Sequence, residues 1–371
     1  MTGINRRQFS LLLAGSWVTP TLLAQTGSTG RSPLFASAAT GRDGLHHLQM
    51  VAQDGSVMLD HTLPQRAHHV ALHPTQPWLA AVARRPGRFI DVVDYNTGTL
   101  IRQVEPDTER HFYGHAIFSP DGQYLISCEN NVADGQGRIT VRDIQLGFSK
   151  VADHPSYGIG PHELALMADT KTLVVANGGI LTHPDKGRDK LNLDSMQPSL
   201  AYIDLHSGEL LEQVQPPAPL HQLSIRHLDV NAAGKVVIAL QYQGAKYDDV
   251  PLVAMHQRGE PLQLLHAPDH VNRAMKQYCG SARFDASGRY AAISSPRGDL
   301  VTFWDSRDNQ YLGQCKTRDG CGLAATLLPG EFLISTGSGH LYHFDMASQK
   351  RQRIKLDANL SVAWDNHMTL V

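Results

Sequence analysis

Short apolar runs broken by turns recur along the whole chain, and no stretch sustains the three-to-four-residue spacing of an amphipathic helix. The runs fall into a repeating unit. Each unit opens on a strand such as HVALH, HAIFS, HELAL, HLDVN or HMTLV, beginning at His69, His115, His162, His227 and His367. A turn follows (HPTQPW, SPDGQY, NAAGKV, DASGRY) and leads into a second apolar strand (LAAVA, LISCE, VVIAL, YAAIS). A third strand ends in a small polar turn at Asp94, Asp143, Asp204, Asp305 or Asp345. These aspartates are expected to be turn-formers with no role in a site. A fourth, more polar strand such as TLIRQVE closes the unit. Four short strands at even spacing with Gly and Asp turns predict a β-propeller blade.

Blade starts fall at residues 69, 115, 162, 227, 281, 323 and 367, a period of about 45 residues with one longer step. That step holds an insertion, residues 178–199. The last start leaves room for one strand only. Its three partners are found at the other end of the chain, in Leu34–Thr40, Leu45–Val51 and Ser56–His61. The expected fold is therefore all-β: a seven-bladed β-propeller over residues 31–371, with its last blade closed by both chain termini. Closure of this kind leaves no open sheet edge.

Ring geometry changes the meaning of the opening residues. The innermost strands start on one face of the ring, so His115, His162, His227 and His367 are expected to converge on the channel mouth. Two more blades open on YCGSARF and GCGLAAT, which adds Cys321 to this set. His69, His183 in the insertion, Glu163 and Cys279 stand in a second rank. His68 competes with His69, and Glu163 with His162, because the register is open by one residue. Imidazole and thiolate donors suit iron, copper or zinc. Arg66, Arg110 and Arg226 lie near the same face and form a candidate anion site. Cys279, Cys315 and Cys321 leave a disulfide open, with its pairing undetermined.

Composition narrows the function classes. Charged residues make up 18% of the chain and the formal net charge is -2, which excludes the footprint of a nucleic-acid binder. The 20 histidines are the outlier. No G-x-S-x-G, H-E-x-x-H or phosphate-binding Gly loop is present. Near the N-terminus, Asn5-Arg6-Arg7-Gln8-Phe9-Ser10 precedes a short apolar run. This predicts a twin-arginine signal peptide and linker over residues 1–30, cleavage after Ala24 and a periplasmic protein with no membrane span.

Longer motifs add a family resemblance. RRPGRF (84–89), RHFYGHAIFSPDG (110–122), YGIGPHEL (157–164), VANGGILTHPDKGRDKLNLDSMQPSLAYID (175–204), HQLSIRHL (221–228), SSPRGD (294–299) and WDNH (364–367) together resemble a family of exported bacterial propellers of unknown function. Genes of that family typically neighbour those of imelysin-type, iron-regulated periplasmic proteins and of haem-containing proteins. The resemblance implies a role in periplasmic iron or metal acquisition, with such proteins as partners. It carries no catalytic residues. Three functions stay open at this point: a metal-binding propeller, a scaffold for those partners without its own metal, and a hydrolase or oxidoreductase acting on a small molecule in the channel.

Overall fold

In the computed structural model, residues 32–371 are described; the twin-arginine-like segment lies outside them. Seven antiparallel sheets follow one another around a ring. Blade 1 contains Ala67–Leu72, Trp78–Ala83, Ile90–Asp94 and Leu100–Val104 from the axis outward, and blade 2 runs from Arg110–Phe118 to Ser149–Ile159. Blade 3 opens with Pro161–Leu166, blade 4 with Leu223–Val230, blade 5 with Ser281–Phe284 and blade 6 with Gly320–Ala325. Blade 7 joins the two ends of the chain. Pro33–Gly41, His46–Ala52 and Val57–Leu63 form its outer three strands, and Val362–Trp364 with Thr369–Leu370 supply its inner edge.

The sequence pattern explains this order. Second strands such as LAAVA and VVIAL are buried on both faces, because each blade is covered by a neighbour on either side. Outer strands such as Leu100–Val104 and Lys350–Ile354 are mostly exposed and carry the polar residues. Apolar side chains fill the wedges between blades. Phe303 of blade 5 stacks on Phe344 of blade 6 with ring centroids 4.3 Å apart. A fully buried side chain of this kind contributes about 2–3 kcal/mol by area. The third-strand aspartates are turn-formers as expected: Asp94 accepts from the backbone N–H of Asn96 and Thr97, and Asp204 from those of His206 and Ser207.

The insertion of blade 3 joins Thr172–Asn177 to Ser199–Asp204 and contains two single 3-10 turns, Pro184–Lys186 and Leu193–Ser195. Asn192 ties it down by accepting from the N–H of Leu181 and donating to the Gly179 carbonyl. No helix among the described residues is long and apolar enough to cross a membrane.

Two expectations need correction. The inner strands of blades 2 and 4 begin at Arg110 and Leu223, upstream of His115 and His227. Each has a register break at the histidine, spanning His115 in blade 2 and falling just before His227 in blade 4, so the apolar alternation restarts there and imitates a strand opening. The four cysteines are all free and buried, so the disulfide is absent. Their thiols point into separate environments: Cys279 toward Leu252 O, Cys315 toward Thr317 and Cys321 toward the backbone carbonyl of Asp365.

Candidate metal centre

The channel-lining strands of blades 1, 2, 3, 4 and 7 share one irregularity. In blade 1 the pairing register skips His68, in blade 3 it skips His162, and in blade 4 it skips Arg226. In blade 2 the break spans Tyr113, Gly114 and His115. Blade 7 is interrupted outright between Trp364 and Thr369, where His367 sits. A regular strand sends consecutive side chains to opposite faces, whereas a bulge turns one extra side chain toward the same side. Both members of His68-His69, His162-Glu163 and Arg226-His227 therefore approach the axis, and the open register has an answer in which neither member is excluded.

Six imidazoles meet there. Ring centroids of His115 and His367, of His162 and His227, and of His227 and His367 lie 4.5, 4.5 and 4.6 Å apart. His68 stands edge-on to His367 at 4.6 Å, and His69 stacks on His115 at 4.8 Å. One carboxylate enters the group. The Oε2 of Glu163 accepts from His227 Nδ1 at 3.0 Å and from the Leu228 N–H at 3.3 Å, and Oε1 lies 3.8 Å from His115 Nδ1. One donor atom from each of His115, Glu163, His227 and His367 falls within 4.8 Å of the others, and the same holds for His68, His162 and His227. His227 belongs to both sets. A tetrahedral ion with ligands at about 2.1 Å holds donors roughly 3.4 Å apart, so side-chain rotation of about an ångström closes either set.

Hydrogen bonding leaves most of these rings unsatisfied. His68 Nε2, His69 Nδ1, both nitrogens of His115, His162 Nδ1 and both nitrogens of His367 are buried and lack a protein partner. Buried polar atoms are rarely left this way, because the desolvation penalty is then uncompensated. The electrostatics point in the same direction. Burial pushes the His68 and His69 imidazoles down to about 4. His115, His162 and His367 are driven well below the usual histidine value by burial and by one another, His162 also by Arg226. Burial alone would raise the Glu163 carboxyl, but the hydrogen bond and charge of His227, with Arg283 behind, hold it below its ordinary value. The lowering disfavours protonation of these rings, and a metal requires its histidine ligands without the extra proton.

Asp365 supports the upper rim. It accepts from His68 Nδ1 at 2.9 Å, from Arg66 Nε at 2.5 Å and from the Asn366 N–H, and Arg84 approaches to 4.0 Å. A carboxylate on Nδ1 fixes the ring's orientation and leaves Nε2 for another partner. Asp365 lies in the WDNH motif, and its place two positions before His367 is the signal in the sequence for such a supporting carboxylate.

The structure does not gather every residue singled out in the sequence. Cys321 packs against Phe35, Leu333 and Trp364, with its thiol facing backbone carbonyls, and burial pushes it up to about 12. Its strand faces the blade interface at this position, so it does not join the donor set. Cys279 likewise belongs to an apolar core and is pushed up to about 12. His183 caps the first 3-10 turn of the insertion, accepting from the Asp185 N–H, and belongs to neither donor set. Of the three arginines, Arg110 is committed to Asp153 at 2.6 Å, with Glu129 nearby, and Arg66 to Asp365. Arg226 alone of the three is buried with its Nε and one terminal nitrogen unpartnered.

Among solved structures, hydrazine synthase of Kuenenia stuttgartiensis is similar in fold: 16% identity, 91% of this chain and 100% of that chain covered, with a TM-score of 0.58. At that identity the likeness is one of architecture. No curated protein sequence matches. Residues 61–371, which include every residue of the imidazole ring, match the family described as "Protein of unknown function (DUF1513)", and the chain belongs to that family.

Proposed function

We propose that this protein is a metal-binding propeller that holds a divalent first-row transition ion on the channel axis, with His115, Glu163, His227 and His367 as ligands. The observation that carries the reading is the row of unpartnered, buried imidazole nitrogens gathered around a single carboxylate. Nitrogen donors with one hard oxygen suit Fe(II), Zn(II) or Cu(II), and the exclusion of Cys321 from the set argues against a thiolate site for Cu(I). Iron is the first candidate. Its support is the resemblance to exported propellers encoded beside iron-regulated proteins, and the twin-arginine-like segment fits export of a folded, already loaded protein to the periplasm. In that setting the protein serves metal acquisition, handing its ion to or taking it from an imelysin-type or haem-containing partner.

Elemental analysis of protein matured through its own export route tests the reading. The expected result is one metal ion per chain, absent from a His115→Ala/His367→Ala variant that remains folded by circular dichroism. No stoichiometric metal, together with no thermal shift on adding Fe(II), Zn(II) or Cu(II), overturns it.

A further inference from the structure

Directly above the imidazole ring lies a cavity of about 380 Å³. Its floor is formed by His68, His162 and His227, and its walls carry Arg84, Arg85, Arg188, Lys190, Arg226 and Arg297. Among the described residues, no aspartate or glutamate lines it. We propose that this cavity is a binding site for a small oxyanion with two or more negative charges, a polycarboxylate or a phosphate.

Four independent parts of the ring supply the cations. Arg84 and Arg85 follow the second strand of blade 1, and Arg188 and Lys190 come from the insertion of blade 3. Arg226 is the bulged residue of blade 4, and Arg297 sits on a 3-10 turn of blade 5. Like charges drawn from four blades repel one another unless something opposite lies between them. Partial compensation exists at the edges only. Arg84 reaches Asp365 at 4.0 Å, Arg85 donates to Thr182, and Lys190 donates to Gln243. The guanidinium of Arg226 has no carboxylate partner among the described residues, and its Nε and Nη1 are buried without a hydrogen bond. Beside it the Tyr113 hydroxyl is also buried and unpartnered. Arginine forks and a tyrosine hydroxyl match the oxygens of carboxylates and phosphates. The volume lies at the small end of the about 300–1,000 Å³ typical of small-molecule sites, which suits a compact anion.

The floor gives the site a second property. His227 belongs both to the cavity and to the proposed ligand set, so an oxygen of the bound anion can reach an ion held below it. The anion is thus placed to complete the coordination of the metal, and the two bind with positive coupling. This coupling rests on the metal reading; the anion site itself does not.

Calorimetric titration of citrate and of inorganic phosphate into protein stripped of metal on a chelating resin tests the site apart from the metal. Saturable binding of at least one anion is expected. Arg226→Gln should weaken it at least tenfold, and the double variant Arg188→Gln/Lys190→Gln, confined to the surface insertion, at least threefold. Binding of citrate alone assigns the site to carboxylates, and binding of phosphate alone to phosphates. Because the titration uses metal-stripped protein, anion binding is expected whether or not the ring below holds an ion. Absence of saturable binding of both anions, or unchanged affinity in both arginine variants, overturns the proposal.

Discussion

Glu163→Gln isolates the contribution of charge to the proposed metal centre. The carboxylate is 5% exposed, lies 3.0 Å from His227 Nδ1 and is the one acidic member of the four-residue donor set. Glutamine keeps the shape and an acceptor for the Leu228 N–H but removes the negative charge that offsets a divalent ion. Loss of a well-placed group at a metal site weakens affinity by about 10–100-fold. An ion at 100 times its Kd stabilises the wild-type fold by about 2.7 kcal/mol through mass action, and at the same concentration the variant retains about 0.4–1.4 kcal/mol. At about 2 °C per kcal/mol for a domain of this size, the metal-induced rise in Tm falls from about 5 °C to about 1–3 °C. The assay is differential scanning calorimetry with and without the ion, on both proteins. A variant that keeps the full metal-induced rise would show that Glu163 does not ligate, and the four-donor set would then be wrong.

Further outcomes follow from single groups. Asp365→Asn removes the buried carboxylate shared by Arg66, His68 and Arg84; with Arg66 nearly half exposed, the cost in chemical unfolding should be about 1–3 kcal/mol, and no measurable loss contradicts the assigned network. Native protein should leave all four thiols unreactive toward a disulfide reagent, since burial raises each of them, and unfolding should release them. Cys321→Ser should keep the metal stoichiometry unchanged, and loss of the ion in that variant would return the thiol to the ligand set. Burial alone would raise Asp153, but Arg110 and Arg138 hold it below the usual carboxylate range. Its contribution is therefore complete above the unfolded carboxylate pKa and lost as pH falls through the lower folded value. Asp153→Asn should flatten the decline of Tm below about pH 4, where the unfolded carboxylate takes up its proton, and an unaltered acid limb refutes the assignment.

The ring architecture was legible because each blade repeats its own strand and turn chemistry, and because HMTLV lacked partners that the N-terminal strands could provide. The histidines were legible as a set for the same reason. What alternation cannot show is a bulge. It hides two facing side chains in one dipeptide, so His68 and Glu163 looked like rivals of their neighbours when both members of each pair belong to the site. Cys321 shows the opposite failure. It occupies the equivalent place in its blade, yet the local backbone turns it toward Trp364 and the blade interface. The arginines needed tertiary contacts: Arg110 finds Asp153 43 positions away, a pairing that no local motif announces. Arg226 stood out only once its neighbours were seen to offer it no acid.

Blade 7 is held along its inner edge by two short pairings, Val362–Trp364 and Thr369–Leu370 against the strand Pro33–Gly41. His367 lies in the gap between them and sits against His68, 299 positions away in the chain. An ion bridging His367 to His115 and His227 would act as a clasp across the seam where the circle is fastened. The seam is where a propeller is most exposed to springing open, because its two sides are tied by the longest loop the chain can form. Metal binding and ring closure would then be linked: the ion would add to the two short pairings that hold the strand carrying His367 in place.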